Sequence, residues 1–319
     1  MMSSRASSLL GVLLLPGLLV ACQTEGNTPA LALEFVEAWG ESGTEPGQFR
    51  EPIGIAITDG EVFVSEAQNR RVQALDREGA PLRQIGPVLA SGDTLRRPMH
   101  LATADSILYV PDFNTDRIHV LSLEGSHQRT LDGAGLEVPF DAPGGVAVDK
   151  EGRVYVADFY HHRVLRFGSD GTLDRQWGVT DSIGKAPDRF TYPTDVAVLP
   201  DGGFVVADAY NHRIKRYTAA DTLGWMRPQN QNWADSTTGT FNVATAVTAG
   251  PDGHIVVADF YNHRIQIFSP DGSFLAAFGE QGTGEGQFER PVDLAFDEEG
   301  RLHVVDFGND RIQVFRRAN

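Results

Sequence analysis

The chain has 319 residues, 41% hydrophobic and 22% charged, which is long enough and apolar enough to bury a core. Its formal charge is −16, and a surface this acidic excludes nucleic acid as a partner, because phosphate backbones are held by basic patches. A single cysteine, Cys22, excludes an internal disulfide.

Residues 1–21 carry Arg5, then the apolar run Leu9 to Val20, then the small residue Ala21. That is the layout of a secretory signal peptide, and it is too short for a spanning helix. The stretch Leu19-Val20-Ala21-Cys22 resembles a bacterial lipobox, and the resemblance implies cleavage before Cys22 and lipid on that residue. Several acyl chains, at about 0.8 kcal/mol per buried CH₂, anchor a protein stably. Gln23 follows instead of an aspartate, which in the lipoprotein sorting pattern implies the outer membrane. Residues 22–32 are then the lipidated cysteine and a polar, breaker-rich tether. The expected location is the cell envelope, with the membrane reached through Cys22.

From residue 33 to 317 one phrase returns six times: an apolar strand ending in an acidic residue, a short polar turn, and an arginine five positions later that opens the next strand. The pairs are Glu66 and Arg71, Asp112 and Arg117, Asp158 and Arg163, Asp208 and Arg213, Asp259 and Arg264, and Asp306 and Arg311. The arginines are 46 to 51 residues apart, a period that signals a repeat architecture. In the third unit Pro143-Gly144-Gly145 leads into Val146–Val148, and Asp149-Lys150-Glu151-Gly152 turns the chain into Val154–Ala157. Val164–Phe167 follows the acidic-to-arginine loop, and Ser169-Asp170-Gly171 turns into a last short strand ending at Trp177-Gly178. Asp-Gly turns between apolar runs predict hairpins, so each unit is a four-stranded antiparallel meander. Six such sheets bury their faces when arranged radially. The expected fold is therefore all-β, a six-bladed β-propeller with no second domain.

The ends of the chain predict how the ring closes. Gly40 to Pro52 matches Gly279 to Pro291 in length and punctuation, which places Phe35–Trp39 where Phe274–Phe278 stands, as an outermost strand. The last unit lacks a fourth strand, so the amino-terminal strand completes it and removes an open edge. The pattern of proline, apolar strand, Asp-Gly turn, apolar strand and Asp-x-x-Asn-x-Arg resembles the NHL repeat, with Asn211-His212-Arg213 and Asn262-His263-Arg264 nearest its usual wording. That resemblance implies a six-bladed propeller. Glu66 for aspartate and Ala244 for proline are single-blade departures.

An active site needs one constellation, whereas a fold needs the same brace in every blade. The repeated acidic–arginine pairs are accordingly read as structural ion pairs. His162, His212 and His263 stand in register before their arginines, in three different blades away from the axis, and are read as structural. Aromatic residues follow the acidic ones on the same face: Phe113, Phe159, Tyr160, Tyr210, Phe260, Tyr261 and Phe307. They offer a rim for a protein, peptide or glycan ligand. Thr218 to Asn242, with Trp225 and Trp233, reads as a long connector on the face of the channel mouth and a further binding candidate.

The repeat also varies at the start of each innermost strand: Gly54, His100, Gly145, Asp195, Ala246 and Asp293. Polar residues fall on alternate blades, so His100, Asp195 and Asp293 are expected to converge at a channel mouth as candidate ligands for a divalent metal such as Zn²⁺, Mn²⁺ or Fe²⁺. The competing expectation is that the two aspartates cap backbone amides at strand starts. The whole reads as a lipid-anchored, non-catalytic binding module. The alternative is a metal-assisted lyase or hydrolase at the channel mouth. Peptidyl-amidating lyases have a similar architecture with several channel histidines, where this chain has His100, and propeller lactonases use a channel carboxylate with asparagines that have no counterpart at these positions.

Overall fold

The computed structural model describes residues 32–229 and 234–318. The leader, Cys22 and Trp233 lie outside the described residues. Six four-stranded antiparallel sheets stand around a central axis, one per sequence repeat. Blade 3 is Pro143–Val148, Val154–Asp158, Arg163–Phe167 and Leu173–Gly178, from the axis outward. Its first hairpin is set by Asp149, whose carboxylate accepts the backbone N–H groups of Glu151 and Arg153, and by Gly152 at φ 75°. The equivalent Gly202, Gly253 and Gly300 have φ of 82°, 81° and 75°, a region open to glycine at no steric cost.

The ring closes as the terminal match predicts. Leu33–Trp39 pairs antiparallel with Arg311–Arg317, placing Phe35 opposite Phe315 and making the amino-terminal strand the outermost of blade 6. Six apolar clusters form the core, one in each seam between neighbouring blades. Each seam is anchored by the loop that enters a blade from its predecessor. Phe49, Leu95, Phe140, Phe190, Phe241 and Phe288, each three residues before the innermost strand's leading Pro or Ala244, are all buried.

The acidic–arginine phrase ties that entering loop to the sheet. Arg213 Nε donates to Asp208 at 2.7 Å, and its other nitrogens donate to the carbonyls of Lys185, Ala186 and Arg189 in the loop. The other Asp208 oxygen accepts the N–H of Thr191. The same set recurs at Arg71, Arg163, Arg264 and Arg311. Blade 2 departs from the sequence expectation. Asp112 instead accepts from the amides of Arg96 and Arg97, and the half-exposed Arg117 reaches Asp93 at 3.2 Å. Its entering loop supplies Asp93 as a rival carboxylate, so the pair does not close.

Removing an anchoring ring leaves a cavity inside a seam. Phe241→Ala should therefore lower unfolding free energy by about 3–5 kcal/mol in urea denaturation, whereas Tyr261→Ala on the exposed rim should cost less than about 1 kcal/mol.

Candidate binding face and axial site

The loops between second and third strands form one face of the disc, and their side chains divide by position. The residue after the acidic one is half-buried where it is aromatic, at Phe113, Phe159, Phe260 and Phe307. The next is exposed: Tyr160 at 46%, Tyr210 at 51% and Tyr261 at 51%. The rings touch in sequence around the face. Phe113 meets Phe159 at 5.4 Å, Phe159 meets Tyr192 at 4.9 Å, and Tyr192 meets Tyr210 at 5.3 Å. In blades 5 and 6, Phe260 meets Phe307 at 6.2 Å with the Arg290 guanidinium over both rings. Aromatic residues thus occupy this face in two groups, one over blades 2–4 and one over blades 5 and 6, and blade 1 has Ala67 and Gln68 in their place.

The position before the arginine seals the ring in blades 2 to 6, while blade 1 has Arg70 there. Asp116, His162, His212, His263 and Asp310 have φ of 51–56°, and each presents a side-chain acceptor to the following blade. Nδ1 of His162, His212 and His263 accepts the N–H of Tyr192, Val243 and Arg290 at 3.1–3.3 Å. Carboxylates of Asp116 and Asp310 do the same for Ala142 and Glu51. Such a histidine must be neutral at Nδ1. Burial pushes the imidazoles of His162 and His212 below their ordinary value, aided at His212 by the charge of Lys185. Sequence reasoning missed Tyr192 and Arg290. Both precede a blade's leading proline, a repeat position whose variation was available to be read.

The three alternate-blade residues do meet on the axis. One ligand-type atom from each of His100, Asp195 and Asp293 lies within 4.8 Å of the others, and the side chains are buried, with residue exposures of 3%, 5% and 4%. Asp195 accepts the N–H of Val247 at 2.9 Å, and Asp293 accepts those of Ile55 and Leu294, both at 2.8 Å. The aspartates thus cap strand amides and tie blade 4 to blade 5 and blade 6 to blade 1. The small residues between them make room: a Cβ on Gly145 would lie 2.3 Å from an Asp195 oxygen, and one on Gly54 would lie 2.8 Å from the His100 Cα. Burial disfavours the imidazolium of His100, but the charges of Asp293 and Asp195 outweigh it and raise its pKa. Asp293 is raised by burial, with the His100 charge opposing and that of Asp195 adding.

Two expectations need correcting. The three residues ring the closed end of the channel, not an open mouth. The channel encloses about 260 Å³, and each innermost strand from Pro52–Ile57, Pro143–Val148, Asp195–Val198, Ala244–Ala249 and Pro291–Phe296 is buried at its start and half-buried at its end. It opens instead on the opposite, turn face, into a funnel of about 520 Å³ lined by Asp59, Asp149, Lys150, Glu151, Asp297 and Glu298. Arg77, Arg153 and Arg301 pair with several of these carboxylates. Trp225 also stands elsewhere: it belongs to the outermost strand Leu223–Arg227 of blade 4, half-buried, with its indole N–H donated to the Pro270 carbonyl. The reason is a turn without glycine. Asp221, at φ 62°, occupies the place of Gly171 and hides the hairpin from a sequence reading.

Fold and repeat together define the class: a six-bladed β-propeller with a braced, aromatic loop face and a polar group on its axis. The profile described as NHL repeat matches residues 140–167, 190–217 and 241–268, so blades 3, 4 and 5 of the propeller carry NHL repeats. Over 149 residues it is 28% identical to Protein brain tumor of Drosophila melanogaster, covering 46% of this chain and 14% of that protein. Over 139 residues it is 28% identical to the B-box type zinc finger protein ncl-1 of Caenorhabditis elegans, covering 42% and 16%. The matches thus span a small part of these relatives. Among solved structures a gluconolactonase from Xanthomonas campestris superposes with TM-score 0.66 at 15% identity over 95% of this chain and 99% of that one. A catalytically inactive virginiamycin B lyase from Staphylococcus aureus with quinupristin gives 0.58 at 15% over 90% and 88%. At such identities the likeness is one of fold.

The blade-to-blade histidines give a pH prediction. A folded-state value below the ordinary 6.5 means the contribution of His162 and His212 is full above pH 6.5 and is lost as pH falls below it, because the unfolded chain takes up the proton first. Asparagine tolerates the left-handed backbone and keeps a side-chain acceptor without titrating. The melting temperature of a His162→Asn/His212→Asn chain should therefore fall less steeply between pH 7 and about pH 5 than that of the unaltered chain. Parallel curves would refute the interlock.

Proposed function

We propose that the protein is a binding module that presents its aromatic loop face to a protein, peptide or glycan ligand at the cell envelope, held there by lipid on Cys22. The observation that carries this reading is two groups of touching rings on one face, Phe113 to Tyr210 in blades 2–4 and Phe260 to Phe307 in blades 5 and 6, with three tyrosines half exposed on a rigid frame. Tyrosine offers a large amphipathic contact at small entropic cost, and exposed clusters of it suit recognition of another surface. Envelope anchoring rests on the leader layout and on the sole cysteine standing at the end of Leu19-Val20-Ala21-Cys22.

A metal-assisted lyase or hydrolase is the second reading. What favours it is Nδ1 of His100, buried and without a hydrogen-bond partner among the described residues. It requires an ion on the axis.

The binding reading is tested by cross-linking in intact envelopes with the full chain and its Tyr160→Ser/Tyr210→Ser/Tyr261→Ser variant. Loss of about 1–2 kcal/mol per tyrosine should weaken capture of any specific partner by at least ~100-fold while the melting curve is retained. An identical cross-linking pattern from both chains would contradict the assignment of this face. A Cys22→Ser chain should leave the membrane fraction; its retention there would contradict the lipid anchor.

A further inference from the structure

We propose that His100, Asp195 and Asp293 form a binding site for one divalent transition-metal ion, entered from the turn face through the axial channel. This stands apart from the aromatic-face reading, and it supplies the condition that the catalytic reading requires.

The donor set is one imidazole nitrogen and two carboxylates, delivered by alternate blades to a single point. Nδ1 of His100 lacks a hydrogen-bond partner among the described residues although His100 is only 3% exposed. It points at Oδ1 of Asp195 from 3.6 Å. That is long for a hydrogen bond. It is close to the separation of about 3.4 Å expected between two ligands that share one ion at ~2.1 Å in tetrahedral geometry.

The remaining oxygens are already oriented. Val247 N–H holds Oδ2 of Asp195, which leaves Oδ1 facing the histidine, and two backbone amides hold Asp293. Ligating carboxylates with outer hydrogen bonds of this kind are a regular feature of metal sites. Mixed nitrogen and oxygen donors suit Zn²⁺, Mn²⁺ or Fe²⁺, whereas Ca²⁺ takes six to eight oxygens. The channel of about 260 Å³ has room for water to complete the coordination.

The entry route follows from packing. The trio closes the channel toward the aromatic belt, with Gly54 and Gly145 pressed against it. On the other side Ile57, Val148, Val198, Ala249 and Phe296 line both the channel and the funnel, so the two are continuous. An ion, and any substrate it polarises, would arrive at the face opposite the tyrosines.

The test uses the full chain in detergent, purified without a histidine tag and stripped with chelator. Calorimetric titration with Zn²⁺ and Mn²⁺ should give one ion per chain, and Co²⁺ should give visible bands of a nitrogen–oxygen site. His100→Gln and Asp195→Asn should each weaken Kd by at least about 100-fold with unchanged circular dichroism. Ala249→Trp or Val198→Phe, which narrow the channel, should slow loading at least about tenfold at the same stoichiometry, while Tyr210→Ala leaves the rate alone. Absence of a stoichiometric ion or cobalt spectrum in the folded, unaltered chain would overturn the site, even if a variant failed to fold. Unchanged affinity in His100→Gln would do the same. Equal loading rates with and without the channel plugs would overturn the entry route and leave the site standing.

Discussion

The ion pair that, in five of the six blades, joins the acidic residue ending the second strand to the arginine opening the third is the interaction on which the rest of the structure depends. It joins two strands of one sheet and, through the remaining guanidinium nitrogens, pins the loop arriving from the previous blade. Both partners are largely withdrawn from water, so the Coulomb attraction alone would not repay their desolvation. The backbone carbonyls and amides complete their hydrogen bonds and make the arrangement stable. Burial raises Asp158 and Asp259, and the opposing pull of amides, Asn262 and arginines shows how closely these carboxylates are held.

Everything of functional interest hangs from that brace. The loop between the paired residues carries, in blades 3 and 5, a half-buried phenylalanine, an exposed tyrosine and the left-handed histidine that reaches the next blade. One short segment therefore stiffens the ring and displays the aromatic belt. The same logic explains the alternation on the axis. A blade with glycine or alanine at its inner start leaves space for the larger polar residue of its neighbour, so small and polar residues must alternate if the axis is to hold three side chains. The two faces of the disc have consequently diverged, one aromatic and closed, the other polar and open to the channel.

Much of this was legible in the amino-acid order because a repeat supplies its own register. Asp-Gly turns and the spacing of the arginines mark six blades, and the likeness of Gly40–Pro52 to Gly279–Pro291 marks the closing strand. The convergence of His100, Asp195 and Asp293 follows from counting along that register. What failed depends on packing or on a substituted turn residue. Which end of the channel is open is decided by close contacts of Gly54 and Gly145, which carry no sequence signal of their own. Asp93 captures Arg117 from the loop that enters blade 2, and Asp221 imitates glycine in the turn before Trp225. The histidines before the arginines were placed correctly away from the axis, yet their acceptor role becomes visible only when the next blade's amide is in position.

The central claim, that the repeated pair is a structural brace and that function lies where the repeat varies, is tested most directly by a double-mutant cycle on Asp208 and Arg213, read by urea unfolding alongside partner capture in envelopes. Removing either partner should destabilise the chain by about 3–5 kcal/mol, with a strong coupling energy, because the survivor is left buried and unpaired. Capture by chains that remain folded should be unchanged. Variants that unfold like the unaltered chain but lose capture would contradict the account.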